Sequence, residues 1–204
     1  MDPRLLPRRS LLCRSMAGLL ALLAPCRAWG ADKAADGLDL PALMAGLAAV
    51  PERRATFQET RRFAVLDQPL LSTGRLLYRR PGYFSKTTDW PQPETLVVDG
   101  GRLVLTAGNE APRVLDLGAI PELRTLVDAI RGPLAGDLAA LRRAFNVTAA
   151  GAADGWTLGL VPLDPRAARL LQQAEVSGRG AEVLAVRLVQ ANGDEQRMVI
   201  RPLA

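Results

Sequence analysis

Glu94-Thr-Leu-Val-Val-Asp99-Gly100-Gly101-Arg102-Leu-Val-Leu-Thr106 holds two short apolar runs separated by Asp-Gly-Gly. Asp-Gly and Gly-Gly supply the positive-φ positions of a tight hairpin, so 94–99 and 102–106 are read as paired antiparallel strands. Upstream, residues 53–66 and 70–80 have extended character, with Asp67-Gln-Pro69 as the turn between them. Tyr83–Asp89 continues the series, and Arg113–Leu117 follows the hairpin. Short strands at this spacing imply one antiparallel sheet in sequential order.

Helices interrupt the strands. Leu40, Leu43, Met44, Leu47 and Val50 recur at spacings of three and four across residues 38–50. Asp39 is placed as the N-cap, Pro41 lies in the first turn, and Pro51 ends the helix. Pro121–Arg131 sets Leu123, Leu126, Val127 and Ile130 on one face, and Asp137–Ala144 reads as a second short helix. The final third returns to strands at Phe145–Ala149, Trp156–Val161, Ala174–Ser177, Val183–Ala191 and Glu195–Arg201. Pro165–Gln173 reads as a helical turn, and Asn192-Gly193-Asp194 as another hairpin. Val183–Gln190 is apolar on both faces, which implies a strand covered on two sides.

The sum is a mainly β (α+β) chain of roughly ten or eleven strands, either a sandwich or an incompletely closed barrel. A curved sheet must cover its concave face, and the helices at 38–50 and 121–144 are the candidates. If they fill the concavity, the result is an ordinary core. If they roof it, a dry apolar cavity remains. Periodicity does not separate these two cases.

Composition narrows the chemistry. The chain has 204 residues, 49% hydrophobic and 23% charged, enough for one ordinary domain with a buried core. It has no His, which excludes His-based triads, His-ligated zinc and imidazole general bases. The net charge of +5 sits mostly in the N-terminus. There a stretch with Arg4, Arg8, Arg9 and Arg14 precedes the apolar run Met16–Ala24 and the small-residue pattern Ala28-Trp29-Gly30. That order describes a secretory signal peptide over residues 1–30, cleaved near residue 30, followed by a domain over 31–204. The run is shorter than the roughly 20 apolar residues a spanning helix needs.

Cleavage would remove five Arg (4, 8, 9, 14 and 27) and Asp2. The 26 basic residues then become 21, the 21 acidic become 20, and the net charge falls to +1. A basic-patch reading for nucleic acid goes with them. Cys13 and Cys26 are lost too, leaving an exported domain without thiols. Arg8-Arg9-Ser10-Leu11-Leu12 also resembles a twin-arginine export signal, and Cys26 a lipidation site, although Pro25 stands where a small residue is usual.

Three motifs carry a resemblance. Ala55-Thr-Phe57-Gln58, Gly74-Arg-Leu-Leu-Tyr-Arg-Arg80-Pro81-Gly-Tyr-Phe84 and Leu96-Val-Val-Asp99-Gly100 follow one another in an order and spacing that resembles the LolA-like outer-membrane lipoprotein carriers. The likeness is strongest over residues 38–106, and the order of helices and strands agrees beyond. It implies an unclosed β-barrel with a helical lid over a hydrophobic cavity for acyl chains.

The Arg of the Arg-Pro pair, here Arg80 before Pro81, would hydrogen-bond the closed lid from inside, and Phe84 would form part of the acyl-binding and docking surface. With Phe57 on the neighbouring strand and Leu126 and Ile130 on the helical stripe, these are the candidate acyl- and lid-binding residues. Phe57 and Phe84 also suit an ordinary core, and any globular protein would bury the stripe. After Asp99-Gly100 the chain carries Val104 and Thr106 where the family usually has aromatics, a departure that leaves the cargo unassigned.

The implied function is a periplasmic, monomeric carrier. It would take an acylated lipoprotein, free lipid or glycolipid from an inner-membrane exporter to an outer-membrane acceptor, without cofactor, metal or catalytic residue. The cargo cannot cross unaided. At about 0.8 kcal/mol per CH₂, a long acyl chain costs on the order of 10 kcal/mol to expose to water.

Two other classes compete. An enzyme could use Ser85 with Lys86, but neighbours on a strand point to opposite faces. Asp89, Glu94, Asp116 and Glu122 could instead converge on folding. A lipid-sensing regulatory domain is the third reading; such proteins usually add a second domain, for which residues 31–204 leave no room.

Overall fold

Asp39 starts the first helix as the spacing predicts. In the computed structural model, which describes residues 38–203, its carboxylate accepts a hydrogen bond from the Ala42 amide at 3.0 Å. This satisfies one of the free donors at the helix start. Helix α1 (Leu40–Ala48) carries Pro41 in its first turn and buries Leu43, Met44 and Leu47. The expected leader (1–30) and the lead-in (31–37) lie outside the described residues.

Six strands follow in a meander: β1 (Glu52–Arg62), β2 (Leu70–Arg79), β3 (Tyr83–Trp90), β4 (Glu94–Asp99), β5 (Arg102–Ala107) and β6 (Arg113–Asp116). Two helices, α2 (Pro121–Ala135) and α3 (Leu138–Ala144), lead to β7 (Phe145–Ala152) and β8 (Gly155–Pro162). After the short α4 (Pro165–Ala168) come β9 (Leu171–Arg179), β10 (Glu182–Gln190) and β11 (Glu195–Pro202).

All eleven strands form one antiparallel sheet in the order β6-β5-β4-β3-β2-β1-β11-β10-β9-β8-β7. Sequential order therefore holds within each half. The halves are joined by the first and last strands, which pair with Phe57 opposite Ile200 and Glu59 opposite Met198. The sheet runs out at β6 and β7, consecutive in the chain yet not hydrogen-bonded neighbours. Between them pass α2 and α3. The barrel is thus unclosed.

Several boundaries differ from those read from sequence. β1 stops at Arg62 rather than residue 66, and Val65 and Leu66 stand exposed in the connection to β2. α2 continues past residue 131 through Pro133 to a left-handed C-cap at Gly136, φ 67°. Gly136 lies against the Met44 carbonyl and Ala48 of α1, where a β-carbon would collide, so the turn brings α1 and α2 together. α4 is only one turn, because Leu171 is already buried in the sheet as the start of β9.

The interior divides. Leu43, Met44 and Leu47 of α1 pack with Leu141, Phe145, Trp156, Leu158 and Leu160, filling the β7–β9 side. Phe84, Val98, Leu103, Leu117 and Val127 form a second cluster under α2. Both cases the periodicity left open occur in one molecule: α1 fills its part of the concavity, and α2 roofs the rest. No helix among the described residues is long and apolar enough to cross a membrane.

Gly74 of β2 faces this interior beneath Phe57. A β-carbon there would sit 2.9 Å from Phe57 Cε1 and against the Thr87 carbonyl oxygen. Gly74→Ala should therefore destabilise the fold by about 1–3 kcal/mol through overpacking. The denaturant midpoint measures it, and an unchanged midpoint would mean that the ring and strand shift freely.

Candidate binding cavity

Alternation along the strands sets the cavity wall. Leu76 and Tyr78 of β2, Phe84 of β3, Val98 of β4 and Leu103 of β5 face inward from one half-sheet. Val183, Val186, Leu188, Met198 and Ile200 do so from the other. Across them α2 lays its stripe of Leu123, Leu126, Val127, Ile130 and Leu134. The space between them, partly open to solvent, is about 570 Å³. That lies within the roughly 300–1,000 Å³ of small-molecule sites. It is walled by hydrocarbon over most of its length.

The sequence candidates fall in three places. Phe84, Leu126 and Ile130 line the cavity. Phe57 is 2% exposed and packs in the core cluster with α1, beside the cavity lining. Arg80 and Pro81 are exposed and border a separate groove near the β2–β3 turn.

Arg80 Nη1 donates to the Ala48 carbonyl of α1. Arg53 of β1 reaches the same helix end, donating from Nη2 to Leu47 O at 2.7 Å and from Nη1 to Ala181 O. α1 has no basic residue in its last turn, so Arg53 of β1 and Arg80 of the β2–β3 turn supply the positive charge its C-terminal carbonyls favour. Burial lowers the pKa of Arg53, an effect Tyr78 and Glu182 oppose.

α2 is held differently. Its own Arg131 donates from Nη1 to Gly82 O at 3.4 Å and to Gly100 O at 3.3 Å, the carbonyls of two hairpin turns, while Asp128 holds Nη2 at 2.8 Å. Both bonds to the turns are longer than the usual 2.7–3.2 Å for N–H···O, and so weak. Sequence reading passed over Arg131 because it sits off the apolar stripe, on a helix whose position over the rim depends on the whole fold.

A buried polar cluster stands at the end of the cavity where β1, β2, β3 and β11 meet. Glu59 is 2% exposed. It accepts from Lys86 Nζ at 2.5 Å, from Ser72 Oγ at 3.0 Å and from Gln196 Nε2, with Arg61 Nε 3.4 Å away. The Lys86 ammonium also lies over the Phe57 ring, 4.9 Å from its centroid. Burial pushes the pKa of Lys86 down, and Glu59 opposes that shift. A signal for the cluster was present in the sequence. If Phe57 and Phe84 face inward, Glu59 and Lys86, two residues on, must face inward too. For the same reason Ser85 and Lys86 stand on opposite faces of β3. Asp89, one of the scattered carboxylates, pairs with Arg75 at 2.9 Å on the outside.

Breaking a buried pair strands one charge, whereas replacing both partners removes the desolvation cost. Glu59→Gln should cost about 3–5 kcal/mol. The double variant Glu59→Leu, Lys86→Met should recover most of that, read as denaturant midpoints. A double variant no more stable than the single would mean that the pair holds the strands together in a way hydrocarbon cannot replace.

Comparison with known proteins supplies the lineage. Among solved structures, similar ones include a LolA superfamily protein of Nitrosomonas europaea, at 9% identity and TM-score 0.41, covering 81% of this chain and 92% of that one. A DUF1329 family protein of Desulfovibrio piger is similar at 8% identity and TM-score 0.43, over 80% and 89% of the two chains. The MucA/MucB complex of Pseudomonas aeruginosa is similar at 14% identity and TM-score 0.43, over 82% of this chain and 58% of that one. No curated protein matches. The sequence matches the family described as outer membrane lipoprotein carrier protein LolA-like over residues 32–204. The chain belongs to that family.

Proposed function

We propose that this protein binds the acyl chains of a lipoprotein or lipid in the cavity under α2 and carries them through the periplasm, from an inner-membrane exporter to an outer-membrane acceptor. The observation that supports it most is the apolar cavity itself, roofed by a helix whose exposed side is polar and whose stripe faces the empty space. Residues 1–30 serve as the export signal in this reading, cleaved near residue 30. The protein acts as a monomer, with no bond made or broken in the cargo.

α2 is the mobile lid. α1 is anchored by a filled core and two arginines, whereas α2 rests on hydrocarbon contacts and the long bonds of Arg131. Arg80, the latch position implied by the resemblance, closes against α1, and Arg131 closes α2. Release of cargo then requires only α2 to lift.

Mass spectrometry of lipids extracted from the protein, purified from its export compartment, tests the reading. A bound acyl species at near one per chain is expected; a protein that stays empty when offered acyl lipids in solution would overturn it. Leu126→Glu should lower affinity for a fluorescent acyl probe at least tenfold while the thermal transition is kept, and loss of the transition would make α2 a core helix. Arg131→Gln should speed probe dissociation severalfold, and by more than Arg80→Leu. Equal or unchanged rates would remove the division of labour between the two arginines.

A further inference from the structure

The cavity is not uniformly apolar: Glu52, Arg53, Arg54 and Glu182 border it near the start of β1, and the way its other polar end, at Lys86 and Arg61, is built points to a ligand group. Lys86, Arg61 and Gln196 line the space, while Glu59, which holds them, is withdrawn behind them. These three residues thus border the cavity while Glu59, on which Lys86 and Gln196 each spend one N–H, does not. An ammonium offers three N–H groups, and among the described residues Lys86 has one acceptor, Glu59 Oε2. The Nε of Arg61 is buried and makes no hydrogen bond among the described residues, Glu59 Oε1 lying 3.4 Å away. A buried donor left unpaired costs free energy that a ligand oxygen would recover.

Charge points the same way. Two cations, Lys86 and Arg61, meet one carboxylate in contact, Glu59; the other acid that acts on Lys86 is Glu94 of β4, which does not line the cavity. Arg61 is 44% exposed in its side chain, so it stands where this end meets solvent. A group with charge and hydration could reach it.

We infer that this end is a subsite for the anionic headgroup, carboxylate or phosphate, of the lipid whose hydrocarbon fills the cavity. Lys86 and Arg61 donate to the anion, and Glu59 with Ser72 and Gln196 positions Lys86. The inference rests on the acyl-binding reading and adds a ligand class to it: acidic lipids are favoured over neutral ones of equal chain length. A buried pair that only stiffens the sheet would show no such preference.

Displacement of a neutral naphthylamine probe from the purified protein by dodecanol, dodecanoate, dodecyl phosphate and inorganic phosphate tests it. Dodecanoate and dodecyl phosphate are expected to bind about tenfold or more tightly than dodecanol, the gain of one charge-assisted hydrogen bond in a desolvated site. Glu59→Leu, Lys86→Met, chosen because it removes the buried pair together, should lower that ratio severalfold, and so should Arg61→Gln. Inorganic phosphate alone should not compete.

Equal affinity for acid and alcohol in the parent protein, or a ratio unchanged in the double variant, overturns the headgroup subsite and leaves the acyl cavity standing. Competition by inorganic phosphate as strong as that of dodecyl phosphate overturns it in favour of a free-anion site. Binding of neither dodecanol nor the acids overturns the acyl-cavity reading and this inference together.

Discussion

Strand β1 is hydrogen-bonded on both sides, to β2 and to β11, and the rest of the structure hangs on that double pairing. Without it there are two separate meanders, each with a concave apolar face too small to enclose anything. With it the curled sheet has one interior, and the inward residues of β1 organise that interior from end to end. Arg53 anchors α1, Ala55 lines the cavity, Phe57 packs over Gly74, and Glu59 and Arg61 build the polar end. Because inward positions alternate, a one-residue slip of β1 would turn all five to solvent at once. Register is therefore the property the sequence must specify most strongly.

Much of this could be read from residues alone, because the information is local. Asp99-Gly100-Gly101 and Asn192-Gly193-Asp194 mark hairpins where they occur, and Asp39 and Asp137 cap the helices that follow them. The pairing of β1 with β11 was not legible. It joins residues about 140 apart in sequence, such as Phe57 and Ile200, through backbone hydrogen bonds that leave no local signature. The division of the interior was hidden for a related reason. The stripes of α1 and α2 have the same spacing, and which one meets a filled core depends on the side chains opposite. α1 meets Phe145, Trp156 and Leu158, whereas α2 buries Val127 and Ala129 against the core and still borders the cavity along its stripe.

Site residues show the same split between local and distant causes. Phe84, Leu126 and Ile130 could be placed at the cavity, since face and stripe are periodic properties. Glu59 and Lys86 share those faces, yet their partnership needed β1, β2 and β3 to lie side by side. The Lys86 stem crosses the Phe57 ring to reach Glu59. Gly74, opposite Phe57 on β2, offers no side chain, and a glycine that reads in sequence as a weak strand residue is in structure what leaves room for the aromatic ring.

In the proposed carrier, the lid and the polar end would place opposite demands on cargo. Each methylene in the cavity adds about 0.8 kcal/mol toward retention, so a long chain held only by hydrocarbon would leave slowly whatever the latch did. The two long hydrogen bonds from Arg131 are worth little beside that sum, and latch release alone cannot eject a chain. What opening α2 changes is the cavity wall. Its five stripe residues withdraw together, and the space beneath becomes a groove continuous with solvent or with an apolar acceptor surface. Under the carrier proposal, hydrocarbon would then pass from one apolar environment to another without crossing water, and the barrier would fall to that of lifting one helix. A charged end near the solvent boundary suits such a transfer, because a headgroup held there never enters the dry part of the cavity and need not be desolvated twice.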